Sequence, residues 1–340
     1  MDKILTIIIP TYNMEKYLEY CLDSLLIGKA CFNLLEVLII NDGSRDTSSA
    51  IAHRYAENFP DVFRVIDKEN GNYGSCINRG LKEATGKYVK VLDADDSFDT
   101  ANFEGFVPYL AETDADLILS DFVVVDEDRN ETHRVSYNFG KSFLPMNRIC
   151  VKERFKDMEM HAVTYRRKML LDIGYKQTEG ISYTDQQWIF APMAAVQTVG
   201  IFNKPVYKYL VGRAGQTIDP VVKAGKMTDR TKYVLDMLRL YDALYQCVAP
   251  EIKEYLDARI RPNVQDIYIT YFSCQSKISK SLIGGFDDDF RKVALPFYNQ
   301  LASLNLYIKI WRMIKNHAML EKLFCICFTA LLRVKILIER

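Results

Sequence analysis

The chain has 340 residues, 49% of them hydrophobic and 12% aromatic, which is enough for two domains or for one large domain with an extension. Lysine plus arginine and aspartate plus glutamate each number 44, so the formal net charge is zero. A neutral chain offers no overall positive field for nucleic acid, and we therefore expect no nucleic-acid partner.

Eight cysteines are scattered along the chain without a Cys-x-x-Cys or a paired Cys/His spacing. This usage is typical of a reduced cytosolic protein whose thiols lie mostly in cores. The N-terminus enters a strand-like run at once and lacks the basic, apolar and small-residue regions of a signal peptide. We therefore expect a cytoplasmic location.

The first hundred residues alternate four times between strand and helix patterns. Apolar, β-rich runs predict strands at residues 5–9, 37–40, 63–66 and 87–92. Helices are predicted between them, the first with Asn13 as its N-cap, the second at residues 47–58, and the third entered from an Asn- and Gly-rich loop at residues 69–80. This order predicts an α/β fold with a mostly parallel, Rossmann-like central sheet and helices on both faces.

Polar residues follow each of these four strands: Thr11, Tyr12 and Asn13, then Asp42, then the loop at residues 69–80, then Asp93 and Asp95. In parallel sheets ligands bind beyond the carboxyl ends of the strands, so these residues are expected to converge on one edge. An aromatic ring, carboxylates and backbone amides together suit a nucleotide. Taken singly, each piece also fits a plain structural role, since Asp-Gly and Asn-Gly are common turns.

The fourth strand ends in three carboxylates, Asp93, Asp95 and Asp96. Like charges at one strand tip repel one another, and a divalent cation would compensate them. Oxygen ligands suit Mg²⁺ or Mn²⁺, and Mg²⁺ usually combines one or two carboxylates with substrate phosphates. The alternative is that Asp95 or Asp96 caps a helix beginning near Thr100.

Three motifs in order carry a family resemblance: Ile-Ile-Ile-Pro-Thr-Tyr-Asn, Ile-Ile-Asn-Asp-Gly-Ser-Arg-Asp-Thr and Val-Leu-Asp-Ala-Asp-Asp. Residues 4–96 with these motifs resemble the GT-A fold of family 2 glycosyltransferases, an inverting group that uses nucleotide-diphospho-sugars. The resemblance implies Asp93 and Asp95 as the family's Asp-x-Asp, with Asp95 the direct ligand of Mn²⁺ or Mg²⁺ and Asp93 assisting. It further implies these nucleotide-sugar-binding residues: Pro10, Thr11, Tyr12, Asn13, Asp42, Asn72, Asn78, Asp93, Ala94 and Asp95.

Two departures from the family pattern concern the donor site. Asn41-Asp42 stands where two aspartates are usual, which leaves one base-reading carboxylate. Ile77 precedes Asn78 where the family commonly has an arginine, so a phosphate contact assigned to that arginine is in doubt. No Gly-x-Gly-x-x-Gly follows the first strand, which argues against a dinucleotide oxidoreductase.

Beyond residue 100 the pattern predicts helices at residues 102–110, 166–173 and 185–196, and strands at 116–125, 132–137, 161–165, 199–202 and 206–210. Asp185 is expected to be the catalytic base, because the family places an acid pair here that has become Thr184-Asp185. Thr184 and Gln187 also match a capping box, and both interpretations can hold together. His161 and Arg213 are candidate acceptor or diphosphate contacts, and each could instead be purely structural.

The last third of the sequence has helical periodicity without a catalytic pattern. We expect a GT-A nucleotide-sugar-binding and catalytic domain at residues 1–218 and an α-helical region at 219–340, with Pro262 kinking one helix. An apolar run at residues 323–332 is too short to span a bilayer and stands in a basic frame. It can lie on an anionic membrane surface, pack on the preceding helices, or form a homo-oligomer contact.

Together these features predict a metal-dependent inverting glycosyltransferase. It would move a hexosyl or N-acetylhexosaminyl group from a nucleotide-diphospho-sugar, expected to be a UDP-sugar, to a hydroxyl of a glycan or lipid-linked acceptor in cell-surface polysaccharide synthesis. It would be peripheral at the inner face of the cell membrane. The alternative is a non-catalytic, glycosyltransferase-like subunit that binds nucleotide-sugar or a membrane assembly. A sugar nucleotidyltransferase would need a Gly-rich basic loop after the first strand, which Pro10-Thr-Tyr-Asn13 does not supply.

Overall fold

The structure of the protein is a computed structural model that describes residues 2–181, 184–212 and 220–338. The chain divides into two compact units, Met1–Ala214 and Gly215–Arg340. The first unit contains one mixed sheet with helices around it, and the second unit is helical in its described residues.

The sheet of the first unit has ten strands in the path β3-β2-β1-β4-β9-β6-β10-β5, with β7 paired to β6 and β8 paired to β10. Its strands are β1 (Leu5–Thr11), β2 (Leu35–Asn41), β3 (Phe63–Asp67), β4 (Tyr88–Val91), β5 (Ser97–Phe98), β6 (Leu117–Val125), β7 (Glu131–Val135), β8 (Phe143–Pro145), β9 (Val163–Arg166) and β10 (Thr198–Leu210). Every residue of β1 and β4 is buried, as expected for strands covered on both faces.

Strand direction decides which residues share an edge. β1, β2, β3 and β4 are mutually parallel. β9 runs antiparallel to both β4 and β6, and β10 is parallel to β6. The carboxyl ends of β6 and β10 therefore reach the same edge as those of β1 to β4, and the amino end of β9 does so too.

The helices of the first unit are α1 (Leu18–Asp23), α2 (Lys29–Phe32), α3 (Ser48–Asn58), α4 (Asn72–Glu83), α5 (Thr100–Glu112), α6 (Met146–Ile149), α7 (Glu153–Lys156), α8 (Arg167–Asp172) and α9 (Asp185–Trp188), with 3-10 turns at Met160–Ala162 and Ala191–Ala194. Gly80 lets α4 approach β1 closely, because a Cβ at this position would lie 2.5 Å from the Ile8 side chain.

Three local predictions were wrong. Asn13 does not cap α1, which has Tyr17 at its N-cap position. The predicted helix at residues 185–196 is a four-residue helix followed by a 3-10 turn, because Pro192 cannot supply the backbone N–H of a continuous helix. The two strands predicted at residues 199–210 are one strand, β10, with register shifts around Pro205.

The second unit contains α10 (Pro220–Gly225), α11 (Met227–Tyr245), α12 (Pro250–Ser273), α13 (Lys280–Val293), α14 (Leu295–Leu304), α15 (Leu306–Ile314) and α16 (Ala318–Ile338), with a 3-10 turn at Gln275–Lys277. Pro262 lies inside the continuous helix α12. Among the described residues, no helix is both long enough and apolar enough to cross a membrane.

Candidate functional site

Residues 93–96, which we call the acidic tip, follow β4 in a tight turn. In this turn the Asp96 backbone N–H donates to the Asp93 carbonyl at 3.0 Å. Asp95 and Asp96 are both buried. The alternative that one of them caps the next helix is wrong, because Asp99 caps α5 by accepting from the Asn102 backbone N–H at 3.0 Å. Asp95 and Asp96 therefore lie in the turn between β4 and β5 and do not cap α5.

Asp96 fastens the end of β10 to this tip. One of its carboxylate oxygens accepts from the Tyr207 hydroxyl at 2.6 Å, and the other accepts from the Leu210 backbone N–H at 2.7 Å. Burial and the neighbouring Asp95 and Asp93 carboxylates raise the pKa of Asp96 well above its ordinary value, against the effect of these hydrogen bonds. The neutral acid form of Asp96 is thus favoured beside its acidic neighbours, and a bound cation would favour the ionised form instead.

Asp93, Asp96 and His161 each place one possible metal-ligand atom within 4.8 Å of the other two. His161 lies in the turn before β9, and its ring Nδ1 is buried without a hydrogen-bond partner among the described residues. Burial and then the Lys90 ammonium lower the pKa of His161 to about 3. The ring is therefore neutral at pH 7, which is the form that binds a metal ion.

These three residues fit a divalent cation, because carboxylate oxygens and a neutral imidazole are ligands of such ions and the buried ring nitrogen of His161 has no hydrogen-bond partner among the described residues. The sequence places Asp93 in the metal site but assigns His161 to the acceptor and leaves Asp96 out. The structure instead brings His161 and Asp96 together with Asp93. That Asp95 contacts the cation directly stays a prediction.

A buried lysine, which sequence reasoning missed, supports the backbone beside His161. The Lys90 Nζ donates to the His161 carbonyl at 2.7 Å and to the Val163 carbonyl at 3.2 Å. Its ammonium also lies near the Tyr207 ring, 5.6 Å from the centroid. Burial lowers the pKa of Lys90 to about 7. A lysine inside an otherwise apolar strand is the sequence signal that could have identified this residue.

Aromatic side chains surround the same group. His161 stacks on Tyr209 with 4.2 Å between ring centroids, and it lies 4.8 Å from the Tyr207 ring and 5.3 Å from the Phe122 ring. The Tyr73 hydroxyl donates to Asp93 Oδ1 at 2.9 Å. Sequence reasoning assigned no role to these tyrosines, because their ring contacts join parts of the chain that are far apart in sequence.

Asp185 begins α9 and acts electrostatically on the same tyrosines as the acidic tip. Burial raises the pKa of Tyr73, with contributions from Asp93 and Asp185 among others. Burial also raises the pKa of Tyr209 to about 12, and the tip carboxylates and Asp185 add to this shift. Helix α9 also contacts the turn Met160–Ala162 that carries His161. The role of Asp185 as the base stays a prediction.

The predicted capping box at α9 is wrong. The Thr184 hydroxyl donates to Gln177 Oε1 at 2.9 Å, and Gln187 bonds both the backbone N–H and the hydroxyl of Thr178 at 2.8 Å. The start of α9 is thus fastened to residues 177–178. Asn78 ties that loop to α4, because its side chain bonds the backbone N–H and carbonyl of Gln177 at 2.8 and 2.9 Å.

Asp42, after β2, is buried and already has partners. It forms an ion pair with Lys68 and accepts from the Gly71 backbone N–H at 2.9 Å. Its observed role is to hold the loop after β3, and a contact with the nucleobase stays a prediction. Asn41 bonds Asp67 at 2.6 Å, so the residue that replaces the family's first aspartate links β2 to β3.

The end of β1 is more open. Thr11 is buried, whereas Tyr12 is 41% exposed and its ring is accessible for stacking. Asn13 has a positive φ of 54°, and its side-chain oxygen accepts from the Arg45 backbone N–H at 2.8 Å, which joins the loops after β1 and β2. A cavity of about 380 Å³ opens beside Asn13 and Arg45.

The remaining residues of the predicted donor site lie in different elements of the fold. Pro10 lies within buried β1, Ala94 is buried at the acidic tip, and Asn72 begins α4 with a positive φ of 64°. Ile77 is fully buried, so this position of α4 places no cation at the edge. Arg213 lies outside the described residues.

The sequence of the chain is similar to known glycosyltransferases. Residues 6–174 match the family described as "Glycosyl transferase family 2". The chain is 30% identical over 218 residues to "Uncharacterized glycosyltransferase MG025 homolog" of Mycoplasma pneumoniae, covering 63% of this chain and 70% of that protein. It is 31% identical over 162 residues to "Uncharacterized glycosyltransferase EpsJ" and 25% identical over 231 residues to "Minor teichoic acid biosynthesis protein GgaB", both of Bacillus subtilis. These alignments cover 48% and 65% of this chain, and the chain spans 44% of EpsJ and 24% of GgaB.

Solved structures support the fold. S. aureus TarS 1-349 in complex with UDP-GlcNAc matches 98% of this chain and 92% of its own, with a TM-score of 0.62 and 18% identity. The mannosyltransferase PcManGT from Pyrobaculum calidifontis, in complex with GDP-Man and Mn²⁺, matches 97% of this chain and 88% of its own, with a TM-score of 0.51 and 14% identity. The predicted GT-A fold is confirmed, and the chain belongs to glycosyltransferase family 2.

Proposed function

We propose that this glycosyltransferase moves a sugar from a UDP-sugar to a hydroxyl of a glycan or lipid-linked acceptor in cell-surface polysaccharide synthesis, with Mn²⁺ or Mg²⁺ and with inversion at the anomeric carbon. The transferred group would be a hexosyl or N-acetylhexosaminyl unit. The observation that carries the proposal is the group of possible ligands Asp93, Asp96 and His161; the turn that carries His161 contacts α9, which begins at Asp185.

The comparisons support the substrate class. TarS was solved with UDP-GlcNAc and PcManGT with GDP-Man and Mn²⁺, so structures with this fold accommodate a nucleotide-sugar and, in PcManGT, a divalent metal. The name of GgaB refers to teichoic acid biosynthesis, a surface polymer. We propose residues 1–218 as the catalytic domain and residues 219–340 as a helical region that contributes to location.

In the proposed donor complex, Tyr12 stacks on the nucleobase and Asp42 holds the nearby loop, while Asn13 and the amides at the start of α4 approach the remainder of the nucleoside. Asp93, Asp96 and His161 would hold the divalent cation, with Asp95 as a further candidate ligand. When bound, this cation neutralises charge on the departing diphosphate. Arg213 is kept as a proposed diphosphate or acceptor contact.

The proposed reaction needs one base. Asp185 accepts the proton of the acceptor hydroxyl while that oxygen forms a bond to the anomeric carbon. The bond from the anomeric carbon to the diphosphate oxygen breaks, and its electron pair leaves with the nucleoside diphosphate. Because attack and departure occur on opposite faces of the sugar, one displacement inverts the anomeric configuration without a covalent intermediate.

Asp185→Asn tests this assignment, because an amide keeps the shape of the side chain but cannot take the proton. We expect transfer to fall roughly 10²- to 10⁴-fold, the usual contribution of general base catalysis, with nucleotide binding retained. Asp172→Asn, at an exposed position of α8, is the matched control and should transfer at the wild-type rate. Wild-type transfer by Asp185→Asn would remove this residue from the role of base.

A thermal-shift series of UDP-sugars and GDP-sugars, with and without Mn²⁺, tests the donor and metal together. A bound donor stabilises the folded protein, so the correct nucleotide gives the largest shift. Equal shifts with and without metal would contradict the metal-dependent part of the proposal. Larger shifts with GDP-sugars would contradict the UDP assignment.

A non-catalytic subunit is the second candidate, favoured by Thr184 in place of an acid and by the buried Ile77 in place of an arginine. Such a subunit would bind nucleotide-sugar without consuming it. Mn²⁺-dependent transfer, or slow hydrolysis of the donor that disappears in Asp185→Asn, eliminates this candidate.

A further inference from the structure

The end of the second unit differs in charge from the rest of this neutral chain. Residues 290–338 contain eight lysines and arginines and one acidic residue, Glu321. Glu321 is buried, and its carboxylate accepts from the Tyr271 hydroxyl and the Trp311 indole N–H, both at 2.9 Å, and pairs with Lys280 at 2.6 Å. Glu321 therefore contributes no exposed negative charge to the surface of this segment.

Helix α16 presents an apolar face to solvent. Six large apolar side chains on it are 50–85% exposed: Met319, Leu320, Leu323, Ile326, Leu331 and Val334. Positions 319, 323, 326, 330 and 334 fall on one side of an α-helix, and 320 and 331 lie at its margin. The opposite side is buried, where Phe328 packs on the Phe272 ring with 5.1 Å between centroids.

Helix α15 also has exposed apolar side chains. The Tyr307 ring contacts Phe328 at 5.0 Å between centroids, so the two helices are neighbours. Leu306 and Met313 are 65% and 73% exposed and lie two turns apart on one side of α15. We call this surface, made of the exposed side chains of α15 and α16, the apolar face.

Exposed cations border the apolar face. Lys309 lies between Leu306 and Met313 on α15, and Lys322 and Arg333 lie along one margin of the α16 stripe. Arg312 and Lys315 are engaged elsewhere, since both pair with Asp287. The border is therefore built from three exposed cations.

We propose that the apolar face binds an anionic lipid surface and holds the enzyme at a membrane. Large apolar side chains bordered by lysine and arginine suit the boundary between acyl chains and acidic headgroups. A second copy of the chain is less suited, because a two-fold contact through this face would bring its cationic border against an identical cationic border. The apolar face would be the part of the chain that contacts the membrane, in keeping with the peripheral location and the lipid-linked acceptor named above. This binding does not depend on the transfer chemistry.

Co-sedimentation of the full chain with vesicles tests the proposal. We expect binding to vesicles of three parts phosphatidylcholine and one part phosphatidylglycerol, and at least tenfold weaker binding to phosphatidylcholine alone. Raising the salt from 0.1 to 0.5 M should weaken binding to the anionic vesicles, because salt screens the headgroup charge.

Two double variants separate the apolar and cationic contributions. Leu323→Gln/Ile326→Gln should weaken anionic-vesicle binding at least tenfold, and Lys322→Gln/Arg333→Gln about tenfold with loss of the salt dependence. The matched controls lie in the first unit, where Leu171→Gln and Lys29→Gln change an exposed leucine and an exposed lysine and should bind as wild type. All positions are exposed, and circular dichroism checks that each variant folds.

The outcomes are decisive in both directions. Absence of wild-type binding to anionic vesicles, or unchanged binding by Leu323→Gln/Ile326→Gln, overturns the proposal. A wild-type dimer that Leu323→Gln/Ile326→Gln converts to a monomer in sedimentation velocity, without vesicle binding, would show that a second copy covers the face. The Mn²⁺-dependent thermal shift with UDP is measured on the same samples, so failure of the proposed donor site is distinguished from failure of the membrane proposal.

Discussion

Two buried aspartates, one in each unit, have opposite surroundings. Asp96 lies beside Asp93 and Asp95, and burial together with these like charges raises its pKa. Asp287 lies beside Arg312 and Lys315, both at 2.8 Å, and these cations lower its pKa although burial alone would raise it. In the second unit Asp287 is paired with two cations, whereas Asp96 of the first unit lies among like charges.

This difference separates a structural cluster from a functional one. Asp287 also accepts from the Tyr268 and Tyr298 hydroxyls, at 2.5 and 3.1 Å, so its partners are complete within the second unit. The acidic tip has tyrosines as well, through Tyr73 and Tyr207, but the described residues around it supply no comparable pair of close cations. A cluster of like charges that raises a carboxyl pKa at a sheet edge is typical of a ligand site.

The largest expected effect is the loss of transfer in Asp93→Asn. Removing one carboxylate from the metal group should lower the rate roughly 10³-fold or more, because a catalytic cation contributes several kcal/mol to the transition state. The fold should persist, since one of several mutually repelling charges is removed. Transfer assays at saturating Mn²⁺ measure the effect. A rate within threefold of wild type would contradict the assignment of Asp93 to the metal.

Asp287→Asn should have the opposite pattern, with unfolding free energy reduced by about 3–5 kcal/mol and the Mn²⁺ response unchanged. Removing the carboxylate leaves Arg312 and Lys315 without their partner, which is the costly way to break a buried ion pair. Urea unfolding measures the change. Asp289→Asn, which breaks the exposed Asp289–Lys292 pair, is the control and should change stability by less than about 1 kcal/mol.

The same variant has a predicted pH dependence. The pKa of Asp287 is lowered in the folded state, so its stabilising effect is present above the unfolded value of about 3.9 and is lost as pH falls through the folded value. The stability difference between wild type and Asp287→Asn should therefore narrow below about pH 4. A difference that is constant from pH 7 to pH 3 would contradict an ionised Asp287.

Much of the first unit could be predicted because its signals are local. Apolar runs located β1 to β4, helical spacing located α3 and α4, and the rule for parallel strand ends assigned the residues after β2 and β4, Asp42 and Asp93, to one edge of the sheet. The three short family motifs predicted the GT-A fold and the candidate donor-site residues, because a motif of a few residues can be recognised without knowing the tertiary structure.

The parts that could not be predicted depend on contacts between distant residues. Tyr207 reaches Asp96 across 111 positions, and Lys90 reaches the His161 carbonyl across 71. The capping box at Thr184 was wrong although its partner is near in sequence, since the Thr184 hydroxyl bonds Gln177 in the preceding loop instead of the helix end. Local preference is overridden when a tertiary partner offers a better hydrogen bond.

Binding of Mn²⁺ alone should distinguish variants of the acidic tip from a variant of Asp287. The expected difference in unfolding free energy is smaller than the cost of Asp287→Asn. At a concentration one hundred times its dissociation constant, an ion that binds the folded state stabilises it by about 2.7 kcal/mol. We expect this gain in wild type and in Asp287→Asn, and its loss in Asp93→Asn and in His161→Ala. Thermal unfolding with and without EDTA measures it. A full Mn²⁺ gain in His161→Ala would remove this residue from the metal group.

The smallest effects come from a matched pair of tyrosines, each of which donates to one of the two buried aspartates. Tyr268→Phe removes a hydrogen bond to an ionised carboxylate and should cost about 1.5–3 kcal/mol of unfolding free energy. Tyr207→Phe removes the bond to Asp96, whose raised pKa favours the neutral acid, so its cost should be nearer 1 kcal/mol. Mn²⁺ should enlarge the cost of Tyr207→Phe, because a bound cation holds Asp96 in its ionised form, and should leave the cost of Tyr268→Phe unchanged.

Urea unfolding of both variants with and without Mn²⁺ measures these costs. An equal response of the two variants to the metal would mean that Mn²⁺ does not change the ionisation of Asp96.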